Sequence, residues 1–190
     1  ANNAFAVTVE NGGEIEVGNN AELIGSVMGN GYGAVAITAG TGHIKIGDGA
    51  KIVNDGTDPS LVPDTDNYGD RQGVFASWNG LIEIGDRASI TTNSRGERNH
   101  ALVAGITAYG INGKGRITVG DDARIDANGS RTYGMVAMMS GSEIIAGQRA
   151  VINVNGGVNA KSNIGVFSAI GGYVEIGDGS EVTVQGDNSY

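Results

Sequence analysis

The chain has no cysteine, so neither a disulfide framework nor a thiolate metal site is available to it. Its two prolines, Pro59 and Pro63, are too few for a collagen-like or Pro-rich linker segment. Large apolar aromatics are scarce, three Phe and one Trp beside six Tyr in 190 residues, which makes any core thin and aliphatic. Lys and Arg number 12 against 21 Asp and Glu, and the bases form no run. The net charge of −9 and a pI near 4.5 argue against nucleic acid or an anionic membrane as partner. No apolar run approaches the ~20 residues of a membrane-spanning helix, so direct membrane insertion by this segment is not expected. No signal peptide opens the chain, as would hold for a mature or excised segment. The lack of cysteine suits the cytosol and equally suits a protein that crosses a membrane unfolded.

What is present is glycine, 34 of 190 residues, roughly 18 % where about 7 % is usual, and a short repeated phrase. The phrase reads Ile/Val-x-Ile/Val-Gly-Asp-x-Ala-x-Ile, and its six copies start at Ile15, Ile44, Ile82, Ile117, Ile144 and Val174. Their glycines, Gly18, Gly47, Gly85, Gly120, Gly147 and Gly177, are spaced by 29, 38, 35, 27 and 30 residues. Recurrence at roughly 20–50 residues marks a solenoid, in which no single unit can bury its own apolar face.

Within a copy the alternation has a period of two, which is strand and not helix. In LIEIGDRASI, Ile82 and Ile84 share one face while Leu81 and Glu83 share the other; beyond the turn, Ala88 and Ile90 resume the inward pattern. Gly85 interrupts it because a corner needs either positive φ or the absence of a Cβ. The following Asp (Asp48, Asp86, Asp121 and Asp178, with Asn19 and Gln148 as variants) is suited to hydrogen-bond the turn backbone. A further strand precedes each phrase, beginning at Phe5, Ala34, Val74, Leu102, Met135 and Val166, and a Gly-rich link leads onward.

Three short strands and three corners per unit describe an all-β fold: a single-stranded coil of parallel strands, a β-helix of about six rungs. Equivalent residues then stack about 4.7–4.9 Å apart, and the rest of each turn supplies the crossover that parallel pairing requires. Ile44, Ile82, Ile117, Ile144 and Val174 are expected to form one internal ladder, and Ala50, Ala88, Ala123, Ala150 and Ser180 a second. Tyr32, Tyr68, Tyr133 and Tyr190, with Ile164 substituting, read as a partial aromatic ladder.

Residues 1–190 form one segment with insertions at 54–72, 92–100 and 108–115. The first two follow the last strand of their units and should emerge side by side from one corner. Insertions in repeat proteins gather on the binding face, which makes Asp58, Leu61, Asp64, Tyr68, Arg95, Arg98 and Tyr109 candidate contacts. Trp78 joins them at the corner approached by Tyr109 and Tyr173; it reads as edge packing or as a platform for a sugar ring. Both chain ends stop at the same phase of the repeat and neither resembles a polar cap. The expectation is a segment of a longer coil, or one that self-associates end to end or side by side.

The phrases YGAVAITAGTGHIKIGDGAKI, RQGVFASWNGLIEIGDRASI and EIGDGSEVTVQGDNSY resemble the passenger repeats of type V (classical, monomeric) bacterial autotransporters. The likeness covers essentially the whole chain. It implies a right-handed β-helix, export across the outer membrane to the bacterial cell surface, and adhesion or aggregation through a protein or glycan on a host or bacterial surface. No cofactor follows from it.

Chemical motifs are thin. Ile46-Gly-Asp-Gly-Ala-Lys51 matches the hexapeptide of left-handed β-helix acyltransferases, but that unit runs continuously there and is isolated here. Asp64, Asp66 and Asp70 resemble part of a Ca²⁺ loop, with Tyr68 and Phe75 where ligands are needed, so a solvated acidic loop is the default. Asp121-Asp122 is the only adjacent acidic pair, and turn chemistry accounts for it. His43 and His100 lack partners at ligand or triad spacing and read as isolated exposed residues. The expectation is no enzyme, no resident metal and no catalytic residue.

Overall fold

A computed structural model describes residues 4–25, 33–56, 71–94, 99–104, 114–129, 131–156, 162–187 and 189. Each repeat contributes three strands. The first three rungs comprise β1 (Ala4–Glu10), β2 (Glu14–Val17) and β3 (Glu22–Gly25); β4 (Gly33–Ala39), β5 (His43–Ile46) and β6 (Lys51–Gly56); and β7 (Arg71–Ala76), β8 (Gly80–Ile84) and β9 (Ser89–Ser94). The next three comprise β10 (Asn99–Ala104), β11 (Gly115–Val119) and β12 (Arg124–Asn128); β13 (Arg131–Met138), β14 (Glu143–Ala146) and β15 (Val151–Asn155); and β16 (Ser162–Ala169), β17 (Tyr173–Ile176) and β18 (Glu181–Gln185). Every third strand pairs in parallel, giving three six-stranded sheets whose strands follow rung order. The chain is therefore the expected all-β solenoid, and no helix occurs among the described residues.

The internal ladders form as the alternation requires. Ile15, Ile44, Ile82, Ile117, Ile144 and Val174 pair in one continuous register. The four central members are fully buried, as are Ile52, Ile90, Ile125 and Ile152 on the third sheet. Each such isoleucine is stabilised by roughly 1.5–3 kcal/mol through its removal from water, but only because a rung lies on either side. The first and last rungs show the converse, with Ile15, Val17, Leu23, Val174 and Ile176 only partly buried. Ala50, Ala88, Ala123 and Ala150 form the tight second ladder, buried to 1 % exposure or less.

Two sequence expectations shift in register. On the first sheet, Val7, Ala36, Val74, Leu102, Met135 and Val166 are the stacked set. In the first two rungs the matching residue is thus two places beyond Phe5 and Ala34, an offset that keeps the same face inward. The aromatic ladder is replaced by a mixed column: Tyr133 pairs with Ile164 on one side and His100 on the other, and His100 with Gln72. Tyr133 meets His100 edge-on at 5.0 Å and Phe167 at 5.9 Å. Tyr32, Tyr68 and Tyr190 lie outside the described residues.

The insertions are shorter than their sequence bounds. Asn54–Gly56 completes β6, and Arg71 and Gln72 open β7. Thr92–Ser94 completes β9, Asn99 and His100 open β10, and Gly115 opens β11. Buried amides hold the bases of the first two together. Asn54 Nδ2 donates to Gln72 O at 2.9 Å, and Asn99 Nδ2 donates to Thr92 O at 3.1 Å and Asn128 O at 2.8 Å.

Candidate binding surface

The Gly-Asp corner, between the second and third sheets, is the most regular feature of the surface. Its glycine is not in the left-handed region. The positive φ falls two residues later, at Asn20, Gly49, Arg87, Asp122, Arg149 and Gly179. Of the two reasons for glycine, the missing Cβ is the operative one: a Cβ on Gly85 would stand 2.3 Å from Asp48 Oδ1 and 2.7 Å from Asp48 N. The aspartate bonds the next rung and not its own turn. Asp48 Oδ1 accepts from Asp86 N, Asp86 Oδ1 from Asp121 N, and Asp121 Oδ1 from Gln148 N, at 2.8–3.1 Å. Asn19 does the same for Asp48 N at 3.0 Å. A column of carboxylates at rung spacing results, and it is consumed by the fold.

Arginines offset that charge. Arg149 grips Asp122 with Nε on Oδ1 at 2.6 Å and Nη2 on Oδ2 at 2.8 Å. This hydrogen bond holds the Asp122 carboxyl below its ordinary value and raises the Arg149 guanidinium. A carboxyl lowered in the folded state stabilises at neutral pH and loses that contribution as pH falls through its folded value. Asp122→Asn is therefore expected to lower the thermal midpoint slightly at neutral pH and not at acid pH, since an exposed pair is a small term. An equal shift at both would discard the ion-pair account.

Both histidines depart from the isolated, exposed state expected of them. His43 Nε2 lies 2.7 Å from Glu83 Oε2, and Nδ1 lies 3.7 Å from Glu14 Oε1, so the ring bridges three rungs of the second sheet. The signal was in the spacing: Glu14 and His43 are 29 residues apart, as are Gly18 and Gly47. His100 is buried against Tyr133. The same outward face carries Lys45 at 4.0 Å from Glu16 and Arg116 at 3.3 Å from Glu143.

Of the sequence candidates, Trp78 alone is described. Asp58, Leu61, Asp64, Asp66, Tyr68, Asp70, Arg95, Arg98 and Tyr109 lie outside the described residues. Their connections are placed only by the flanking strands. Residues 57–70 and 95–98 join the third sheet to the first in consecutive rungs, and 105–113 joins the first sheet to the second.

Trp78 sits at this first-to-second corner with φ +52° and 44 % of its surface exposed. Ser77 O accepts from Gly80 N at 2.9 Å, and Trp78 and Asn79 both have positive φ, which is a type I′ turn. Register places Asn11, Gly40, Trp78, Met139 and Ile170 at one position of the corners of the first, second, third, fifth and sixth rungs. All five have positive φ, between +49° and +81°. Asn and Gly accept that backbone readily. For the others it costs roughly 1–2 kcal/mol each, most severely for a β-branched residue. Ile170, 65 % exposed, and Tyr173, 50 % exposed, are the other exposed large apolar side chains at this corner among the described residues. Sequence reasoning singled out Trp78 and missed Ile170, which stands seven residues ahead of its corner glycine as Trp78 does, and Met139, which stands eight ahead and is aligned only by strand pairing.

The chain is 29 % identical over 147 residues to the serine protease EspC of Escherichia coli O127:H6, a match that covers 74 % of this chain and 10 % of that protein. Fold and similarity together fit an autotransporter passenger segment. The chain spans about a tenth of that relative's length. No protein-family profile matches it, and no solved structure does. Protease activity belongs to the name of the relative; the match to it is distant and partial, and His43 in this chain contacts carboxylates on both sides.

Proposed function

We propose that this chain is a segment of an exported passenger displayed on a bacterial surface, where it serves adhesion or cell–cell aggregation and no catalysis. The six-rung stack is a stiff stalk, and its corners hold binding segments away from the cell. What supports the reading is the similarity to a serine protease chain, spread over most of a solenoid whose rungs are in unbroken register. Individual contacts on so open a surface are weak, and many displayed copies multiply them.

The test is display of the chain ahead of an outer-membrane translocator on non-adherent bacteria, with settling rate and attachment to host cells as readouts. Displayed cells are expected to settle or attach faster; surface display without either change would overturn the adhesive role. Deleting residues 57–66 is expected to leave the thermal midpoint unchanged and to weaken attachment. Four residues would then join β6 to β7, the number (95–98) that joins β9 to β10 in the next rung. Undiminished attachment would remove that segment from the binding surface.

A further inference from the structure

We propose that the corner bearing Trp78, Met139 and Ile170, with Tyr173 beside it, is a binding ridge for an uncharged glycan chain. The inference deepens the adhesive reading by naming a ligand class and a site.

The fold supplies no reason for these residues. At the same corner position the first two rungs use Asn11 and Gly40, which suit left-handed backbone, whereas three later rungs carry Trp, Met and Ile at φ +52°, +81° and +54°. Burial does not compensate at Trp78 and Ile170, which are 44 % and 65 % exposed, while Met139 is half-buried. Backbone strain kept under exposed apolar side chains is a sign of use in contact with something else.

The neighbours indicate what that is. Leu81, Arg116, Glu143 and Tyr173 lie in register on the strands that leave this corner. Arg116 Nε approaches Glu143 Oε2 at 3.3 Å, and the Tyr173 hydroxyl donates to Glu175 Oε2 at 2.7 Å. That bond, with the charge of Glu175 and Glu143 nearby, pushes the Tyr173 phenol above its ordinary value. The Asn79 amide is exposed beside Trp78. Flat apolar faces edged by guanidinium, carboxylate and amide groups match a sugar ring, which has an apolar C–H face and a hydroxyl rim. Trp78, Met139 and Ile170 belong to the third, fifth and sixth rungs, so the partner is extended and lies across rungs. Trp78 and Tyr173 are three rungs apart, on the order of 14 Å. The glutamates at the rim and the net charge of −9 disfavour acidic glycans.

Trp78 is the chain's only tryptophan, so its fluorescence reports on this corner directly. The purified chain is titrated with mannan, xyloglucan and chitin oligosaccharides, with heparin as the acidic control, and then applied to an array of clustered neutral glycans. A neutral glycan is expected to move the emission to shorter wavelength and to protect Trp78 from acrylamide quenching; heparin is expected to do neither. Tyr173→Ala should weaken the response at least tenfold. Ile170→Gly should weaken it too while raising the thermal midpoint, a combination that a packing role does not produce. Three outcomes overturn the proposal: no neutral glycan in solution or on the array binds, heparin alone acts, or the emission follows protein concentration because a second copy covers the corner. Any of them would leave adhesion by displayed cells untouched, so failure here is distinguishable from failure of the adhesive role.

Discussion

Gly85→Ala is expected to destabilise the chain by about 3 kcal/mol or more, while Gly18→Ala is neutral or stabilising by about 0.4–1 kcal/mol. The two glycines occupy the same place in their repeats. The difference lies in what stands beneath them. A Cβ at Gly85 would meet the Asp48 carboxylate at 2.3 Å, the Asp48 amide at 2.7 Å and the Gly47 carbonyl carbon at 2.8 Å. Two of these are backbone atoms held by the ladder in which Asp48 Oδ1 receives Asp86 N, so they cannot yield without parting the rungs. At Gly18 nothing lies within 4 Å, and its φ is not positive. For a chain of this size 3 kcal/mol corresponds to a fall in thermal midpoint of about 6–12 °C. Thermal and urea unfolding of the two variants side by side decide the matter. A tolerated Gly85→Ala would mean that the corner carboxylates do not lie over the next glycine, and the corner geometry would fall.

That contrast also marks how far the sequence could be read. The need for glycine at this corner was plain from its recurrence, and both physical reasons for it were available. Only the stacking of Asp48 under Gly85 selects between them. The isoleucine ladders were legible because alternation assigns a face to each residue and the repeat spacing assigns its rung. The Glu14–His43 contact was legible by the same rule and would have been found by applying the spacing to outward residues as well as inward ones. The ridge at Trp78 was legible only in part. Ile170 stands seven residues ahead of Gly177 as Trp78 does ahead of Gly85, so the repeat spacing aligns them, whereas Met139 stands eight ahead of Gly147 and the register that aligns it with Ile170 emerges only from pairing. Residues 57–70 and 95–98 join the same sheets as 26–32 and 156–161 but differ from them in length, so an argument from repetition cannot reach Asp64, Tyr68, Arg95 or Arg98.

Ile117→Ala should cost about 2–5 kcal/mol, the range for emptying a packed aliphatic site, and its consequences should travel along the stack. Ile117 is fully buried on the fourth rung, between Ile82 below and Ile144 above. Val119, also on β11, is 3 % exposed, so the strand has little freedom to collapse into the space. In a solenoid each unit is stabilised by its neighbours, and the free energy is close to a sum of rung and interface contributions. Weakening a central rung therefore loosens two interfaces, whereas Val182→Ala on the last rung, where the side chain is 44 % exposed, loosens one that is already half open. Hydrogen exchange distinguishes the cases. In Ile117→Ala the amides of β8, β11 and β14 should all lose protection, with those of β2 least affected. In Val182→Ala the loss should stay within β18 and its partner β15. Uniform loss of protection in both variants would show that the rungs unfold as one block, and the picture of a stack held together rung by rung would have to be abandoned.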